Sequence, residues 1–480
     1  MTTRKSLFYS FLDRYASLAI SVVYSMIIAR LLTPAELGIF SVTMVLLMFV
    51  STIRDMGASQ YMVQETELTV DRIRAAWAVQ VGLGIAMAGL VALASHPVAV
   101  FYQEPRIQNI MLVIAFSYLV NPLGSLTNSW LQREMRFESI AVMRFAATLS
   151  GAIVACVMAS KDFGPISLAF GAVTTTLVNA LIGVYLRPKA LPWRPGIKEL
   201  RRVLTFGSKQ TGSFIVIEFA EKIPELFLGK LQNLTAAGLF SRANGLVEMF
   251  DRLFVDAVWS VCLPWFSRER REGAGIATPF MDSTSYVTAF GWSFCLVVFF
   301  LAQPIIRFLY GVQWDAAVDL TRLLAVAVAF KVPVALCRVA LLSSGNVGTI
   351  GRVTTISALQ TMLFVATGTA LGLLQMGCFV ILASAISTYL WLKATAKHLG
   401  IPLARILNSL RKSVGVALLA AIGPAVSFAI YGPYPQVILM PLSVGVLGSL
   451  AGFVLGLFVF RHALLGEFAQ VWAKVTSKSL

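Results

Sequence analysis

The sequence predicts an all-α polytopic membrane protein of about 14 transmembrane helices, and three observations carry that prediction. Long apolar stretches follow one another along the whole chain with short connections between them. Hydrophobic residues make up 58% of the 480 residues and charged ones only 13%, with a mean hydropathy of +0.79, a balance that suits a bilayer and not water. Lys and Arg gather in every second connection, as they do when one side of the membrane faces the cytoplasm.

A hydrocarbon core about 30 Å thick takes roughly 20 apolar residues per crossing. The crossings are expected at 11–32, 37–56, 75–95, 108–128, 139–159, 166–186, 207–230, 235–260, 283–303, 319–342, 353–374, 376–396, 413–431 and 436–460. The seventh and eighth are the least apolar. Arg4 and Lys5 precede a run too long for a leader and without an A-x-A site behind it, so the first stretch is expected to stay as a helix. With the N-terminus inside, cytoplasmic connections collect Arg54, Arg72 and Arg74, then Arg133 and Arg136, then the run from Arg187 to Arg202. Arg268, Arg270 and Arg271 follow, then Lys393, Lys397, Arg405, Arg411 and Lys412. That places most Lys and Arg, and both termini, in the cytoplasm.

The longest connection, RPKALPWRPGIKELRRVLTF from Arg187 to Phe206, begins with three prolines. Ile197, Leu200, Val203 and Leu204 then recur at helical spacing among Lys198, Arg201 and Arg202, the pattern of a short basic amphipathic helix on the membrane surface. It divides the chain into a first half, 1–186, the linker itself, 187–206, a second half, 207–396, and a final segment, 397–480, with two more helices. An internal repeat supports two halves. ARLLTPAELGIFS from Ala29 aligns without gaps with GKLQNLTAAGLFS from Gly229, pairing Arg30 with Lys230, Gly38 with Gly238 and Ser41 with Ser241. Six helices apart, the two copies run parallel, as in transporters built of two like lobes. In the last helix, Gly448, Gly452 and Gly456 form overlapping GxxxG spacings that point to close helix packing.

Ionisable residues inside a membrane are costly and usually face a partner or a watery cavity. The seventh helix carries Glu218, Glu221, Lys222 and Glu225 on one face. The eighth carries Arg242, Glu248, Asp251, Arg252 and Asp256, with Glu248–Arg252 and Arg252–Asp256 at i,i+4. The tenth carries Lys331 and Arg338, seven apart with Pro333 between them. Paired charges can simply lock helices together. Cations and carboxylates on several facing helices instead suggest a hydrated cavity for an anion. Lys222, Arg242, Arg252, Lys331 and Arg338 are then candidate contacts, and Glu218, Glu221 and Glu225 charge partners or ion-coupling groups.

A net charge of +16 does not make a nucleic-acid binder, because the basic residues are scattered beside apolar stretches as membrane anchors are. The five cysteines make no CxxC pair, and His96, His398 and His462 stand alone at helix ends, so no metal, cofactor or disulfide framework is expected. SSGNVGTIGR lacks a Walker lysine and any sheet context. The connections outside the membrane are too short to hold a catalytic domain.

IIARLLTPAELGIFSV, RDMGASQYMVQ, LQREMRFESIAVMR and the later LTAAGLFSRANGL together resemble the multidrug/oligosaccharidyl-lipid/polysaccharide (MOP) exporter superfamily, and within it the polysaccharide transporters of the Wzx and colanic-acid-exporter kind. The resemblance extends over essentially the whole chain. It implies two six-helix lobes in a V plus two C-terminal helices, in the bacterial inner membrane. It also implies a flippase that is not an enzyme, carrying an undecaprenyl-pyrophosphate-linked oligosaccharide, with a polysaccharide polymerase and a chain-length regulator as further partners. A drug or small-cation antiporter on the same fold is the alternative, set back by the extra helix pair and the intramembrane cations. A membrane glycosyltransferase is the second, set back by the short outer connections.

Overall fold

The computed structural model describes residues 3–55, 58–189 and 191–467, with the side chains of all these except 3–15, 53–55 and 207–221. Among the described residues there are helices and no strands. Eleven helical stretches are long and apolar enough to cross a membrane. The three other expected crossings, 11–32, 207–230 and 235–260, are helical as well. Apolar side chains such as Leu93, 80% exposed in the middle of its helix, mark faces that suit lipid better than water.

The chain forms two compact units, 1–238 and 239–480. Unit 1 holds α1 (Thr3–Leu31), α2 (Pro34–Asp55), the short α3 (Ala58–Gln64), α4 (Val70–Tyr102), α5 (Arg106–Arg133), α6 (Phe137–Ala159), α7 (Ile166–Tyr185), α8 (Leu200–Leu231) and the start of α9 (Leu234–Val247). Helix α8 packs on α2, α3 and α4, which is why this unit runs on to Gly238. Among the described residues no separate surface helix precedes it. Residues 191–199 are irregular, and the apolar positions from Leu200 onward are the first turns of α8 itself.

The repeated signature is a helix start followed by a crossing point. Thr33 and Glu36 form a reciprocal capping box on α2: Glu36 Oε2 accepts from the Thr33 amide at 2.9 Å and Thr33 Oγ1 accepts from the Glu36 amide at 3.3 Å. Pro34 sits at the first helical position, where its missing N–H costs nothing. In the second copy, Asn233 Oδ1 caps α9 through the Ala236 amide at 2.8 Å. Five residues past each cap the two copies touch. A Cβ at Gly38 would lie 2.9 Å from the Gly238 amide nitrogen, and one at Gly238 would lie 2.9 Å from that of Gly38. Only hydrogen fits at either position.

Several basic residues at the α3–α4 end of unit 1 act as caps and ties. Arg133 donates to the carbonyls of Met62 at 3.2 Å and Thr66 at 3.1 Å, satisfying the end of α3 and the turn behind it. Arg72 and Arg202 both pair with Glu65, at 3.5 and 3.1 Å.

Unit 2 holds the remainder of α9, then α10 (Asp256–Arg271), α11 (Ala277–Leu309), α12 (Val318–Lys331), α13 (Cys337–Ser343), α14 (Val347–Leu371), α15 (Leu373–Leu399), the short α16 (Leu403–Ser409), α17 (Arg411–Tyr431) and α18 (Leu439–Val459). Helices α17 and α18 pair through the expected glycine stripe: a Cβ at Gly456 would lie 2.9 Å from the Val416 Cα. Together they lie against α11, where Phe290 packs on Phe453 with ring centroids 4.8 Å apart. His462, read from the sequence as standing alone at a helix end, is instead buried beside Ser285 and Ser413, with Nε2 3.1 Å from each hydroxyl.

Candidate functional site

The tenth expected crossing is a broken helix. Helix α12 stops at Lys331, a single 3-10 turn spans Val332–Val334, and α13 starts at Cys337. Pro333 causes the break: it has no N–H for the Ala329 carbonyl and its ring crowds that turn. In a bilayer the freed carbonyls must find other donors. They find three, from three helices. Trp292 of α11 donates its indole N–H to the Ala329 carbonyl at 2.8 Å, Thr388 of α15 donates to Phe330 at 2.7 Å, and Trp259 of α10 donates to Ala335 at 2.9 Å.

Two candidate cations flank this break. Lys331 is exposed at the end of α12. Arg338 is half-buried on α13, with its guanidinium 5.8 Å from the centre of the Trp259 ring. The seven-residue spacing assumed one straight helix. The break resets the helical phase, so the two residues belong to different helices and Arg338 is aimed by Trp259.

A second irregularity carries Arg252. The expected eighth crossing is α9, a π-helical turn at Asp251–Val255, and then α10. Such single turns of wider helix recur at functional sites. Arg252 is exposed and pairs with Glu248 at 2.9 Å, as its i,i+4 spacing indicated; Asn244 donates to the other Glu248 oxygen at 2.6 Å. Arg242, half-buried on α9, rests on two rings, 5.5 Å from the centre of Tyr310 and 5.8 Å from that of Trp314. Trp314 is fully buried in a 3-10 turn held by a bidentate pair, Arg307 to Asp315 at 2.8 and 2.6 Å. Aromatic partners for Arg242 and Arg338 were not foreseen, since nothing in sequence spacing links residues 242 with 310 or 338 with 259.

In unit 1, Lys222 is half-buried on α8. Glu225, 6% exposed, accepts a hydrogen bond from the Ser41 hydroxyl. The side chains of Glu218 and Glu221 lie outside the described residues.

Beside the helix break, unit 2 contains an apolar cavity of about 850 Å³. Trp292, Ala329, Phe330, Pro333 and Thr388 form one wall; Tyr389, Leu407, Val414 and Leu418 are on others, and Arg411 also lines it. Lys393 stands 5.6 Å from the Tyr389 ring centre. A space of this kind takes an apolar chain, and the cations near it suit an anionic group. Among the described residues no cluster of His, Cys, Asp and Glu could hold a metal ion.

Eleven helices long and apolar enough to cross a membrane, among the described residues, make this a multi-pass membrane protein. The fold is similar to that of the lipid II flippase MurJ in an inward closed conformation, with a TM-score of 0.78 at 13% identity, covering 96% of this chain and 100% of that one. It is also similar to an inward-facing multidrug MATE transporter of the MOP superfamily, with a TM-score of 0.63 at 12% identity over 82% of this chain and 96% of that one. Residues 27–319 match the family described as "Polysaccharide biosynthesis protein", and the chain belongs to that family. It is 24% identical to the succinoglycan biosynthesis transport protein ExoT of Rhizobium meliloti over 69% of this chain and 67% of that protein. It is 21% identical to the lipopolysaccharide biosynthesis protein WzxC of Escherichia coli, over 64% of this chain and 63% of that protein. It is 21% identical to the teichuronic acid biosynthesis protein TuaB of Bacillus subtilis, over 64% of each. The chain therefore spans about two thirds of the length of these relatives. The polysaccharide-biosynthesis family read from the sequence is upheld, and the fold is of the kind the resemblance implied.

Proposed function

We propose that the protein moves an undecaprenyl-pyrophosphate-linked oligosaccharide repeat unit across the bacterial inner membrane by alternating access, supplying exopolysaccharide, capsule or lipopolysaccharide assembly. The observation that carries this reading is the apolar cavity of about 850 Å³ lying against the cation-flanked break of α12 and α13. A carrier lipid has the matching two parts, a long apolar chain and a pyrophosphate that needs Arg or Lys. Lys222, Arg242, Arg252, Lys331 and Arg338 are proposed to meet the anionic head group in turn, and Glu218, Glu221 and Glu225 to balance them or couple an ion.

The chain would cross the membrane fourteen times, with α1, α8 and α9–α10 adding three crossings to the eleven apolar ones, and both termini in the cytoplasm. The transport repeats would be 1–186 and 207–396, joined by 187–206 and followed by 397–480, since the repeated cap-and-glycine signature opens α2 and α9 alike. A polysaccharide polymerase and a chain-length regulator would act on the delivered unit. The three relatives are named for three different polymers, so the sugars are left open.

The test is movement of a fluorescent lipid-linked oligosaccharide between leaflets of vesicles containing the purified protein, read by an impermeant quencher. Protein-dependent loss of protection is expected. Movement of a small organic cation such as ethidium, with the lipid-linked glycan left in place, would overturn this reading in favour of an antiporter.

A further inference from the structure

At the α3–α4 end of unit 1, residues 187–189 and 191–199 dock onto the start of α4 through an arginine held by two tryptophans. The Arg187 guanidinium lies 4.1 Å from the ring centre of Trp193 and 4.9 Å from that of Trp77. The two indoles meet edge to face at 6.2 Å. One guanidinium nitrogen, Nη2, donates to the Pro192 carbonyl at 2.7 Å. The other two, Nε and Nη1, are buried and have no partner. Trp77 is buried, and its indole N–H is unpaired too. One turn earlier on α4, Arg74 has a buried, unpaired Nε, and its carbonyl accepts from the Gly196 amide at 3.1 Å, which ties the same connection down.

All four unpaired atoms are donors, and they come from three neighbouring side chains of which two are cationic. Two carboxylates of this end are engaged elsewhere: Glu65 with Arg72 and Arg202, and Asp71 with Lys198 at 3.7 Å. Buried donors are ordinarily satisfied, so a group of them facing no acceptor points to a ligand made of acceptors. Planar guanidinium edges and an indole N–H suit the oxygens of a phosphate. The surroundings indicate where that phosphate comes from. Tyr185, Trp193 and Ile197 are 87%, 54% and 84% exposed, and Lys189, Arg194 and Lys198 stand among them. Aromatic and aliphatic side chains interleaved with cations, next to the end of a membrane-crossing helix, are the dress of a lipid head-group layer.

We infer that Arg74, Trp77 and Arg187 form a phosphate site for an anionic glycerophospholipid of the adjacent leaflet, with Trp193 and Ile197 set into the head-group layer beside it. The bound lipid fastens the connection between α7 and α8 to unit 1 and to the membrane surface. Burial pushes the Arg187 guanidinium below its ordinary pKa, as expected of a cation lacking its counter-charge.

The inference is independent of the cargo proposed above, and its test keeps the two apart. The full-length protein, purified in a neutral detergent, is titrated with phosphatidylglycerol, phosphatidylcholine and farnesyl pyrophosphate, and adducts are counted by native mass spectrometry. One phosphatidylglycerol is expected to be retained in preference to phosphatidylcholine. Arg187→Gln should weaken it at least tenfold, and Arg74→Gln and Trp77→Phe severalfold each. Trp77→Phe keeps the ring against Arg187 and deletes only the donor, so it reports on binding even if the arginine variants fold poorly. Arg271→Gln, an exposed cation of α10, should bind as the wild type does. Phosphatidylglycerol retention unchanged in both Trp77→Phe and Arg187→Gln would overturn the site. Farnesyl pyrophosphate binding that depends on Arg187 while phosphatidylglycerol binding does not would overturn the membrane-lipid assignment and give the site to the carrier's pyrophosphate.

Discussion

Replacing Gly38 by Ala should loosen unit 1 where the two repeat copies cross. The new Cβ would lie 2.7 Å from the Leu234 carbonyl carbon and 2.9 Å from the Gly238 amide nitrogen, against 3.4 Å for the near edge of ordinary contact. The Leu234 carbonyl oxygen is nearer still, so the shortfall is more than about 0.7 Å, and the atoms opposite are backbone, so no side chain can swing away; α2 and the start of α9 must part. Overpacking of this kind costs about 1–3 kcal/mol. Exchanging Gly for Ala inside a helix returns about 1 kcal/mol. The net loss is then up to about 2 kcal/mol, which for a unit of this size is a fall in Tm of up to roughly 8 °C. Gly238→Ala should do the same, and the double variant should lose less than the sum, because one separation of the helices accommodates both methyls. Gly89 supplies the control, being helical with nothing within 4 Å of a built Cβ, so Gly89→Ala should hold or raise Tm. Fluorescence-detected unfolding of the purified variants measures all four. A Gly38→Ala protein as stable as Gly89→Ala would refute the crossing.

Four further outcomes are expected. Single cysteines at Lys198 and Arg270 should be shielded from an impermeant maleimide in intact cells while one at exposed Gln103 is labelled; Val312, 67% exposed, is a better second outer site than the fully buried Trp314. The reverse pattern would invert the orientation. Lys331→Ala and Arg338→Gln should lower glycan export about tenfold or more at normal abundance, the loss of a charged hydrogen bond being worth about 1.5–3 kcal/mol; export at the wild-type level in both would remove them from the cargo path. Pro333→Ala should lengthen α12 and unsettle the α13 side, seen as weaker hydrogen-exchange protection in α13, and unchanged protection would count against the account of the break. His462 gives a pH effect: burial, aided by Lys412, holds its pKa below 6.5, so the neutral ring is the folded form, and the Leu464 amide donates to its Nδ1 at 3.3 Å. Its contribution is complete above the ordinary value and is lost as pH falls through 6.5 toward the lower folded value, so protection at the start of α17 should drop in that window. His462→Gln should flatten the response; a wild-type protein with equal protection at pH 7.5 and 5.5 would contradict it.

Much of the scaffold was readable along the chain because it rests on local rules. Thr33-Pro34-Ala35-Glu36 is a capping box by spacing alone, and Gly448, Gly452 and Gly456 announced the tight α17–α18 pair. The end of α17 before Gly432 came out as expected, but α4 runs through Pro97 to Tyr102 and α11 through Pro304 to Leu309, beyond the expected ends at 95 and 303. The candidate site was half legible. Which cations lie within the apolar regions is a property of composition, but where they point is not. Lys331 and Arg338 share a face only if the helix is unbroken, and Pro333 breaks it. The indoles that aim Arg338 and cover the freed carbonyls come from 37 to 79 residues away, beyond the reach of periodicity. The linker misled for the same reason: its helical spacing was real, but it was the beginning of α8, and the irregular residues before it are shaped by Trp77, on another helix.

The covering of the Pro333 break also decides what kind of joint it is. Trp292, Thr388 and Trp259 each hold one carbonyl from a different helix, so bending there would strand polar groups in an apolar setting three times over. A proline in a transporter helix is commonly looked to as the place where the chain flexes; this one is a riveted corner. Each of these three carbonyls already accepts a side-chain donor, so the break offers less open backbone than its missing hydrogen bonds alone would leave, and bending is left to the helix ends.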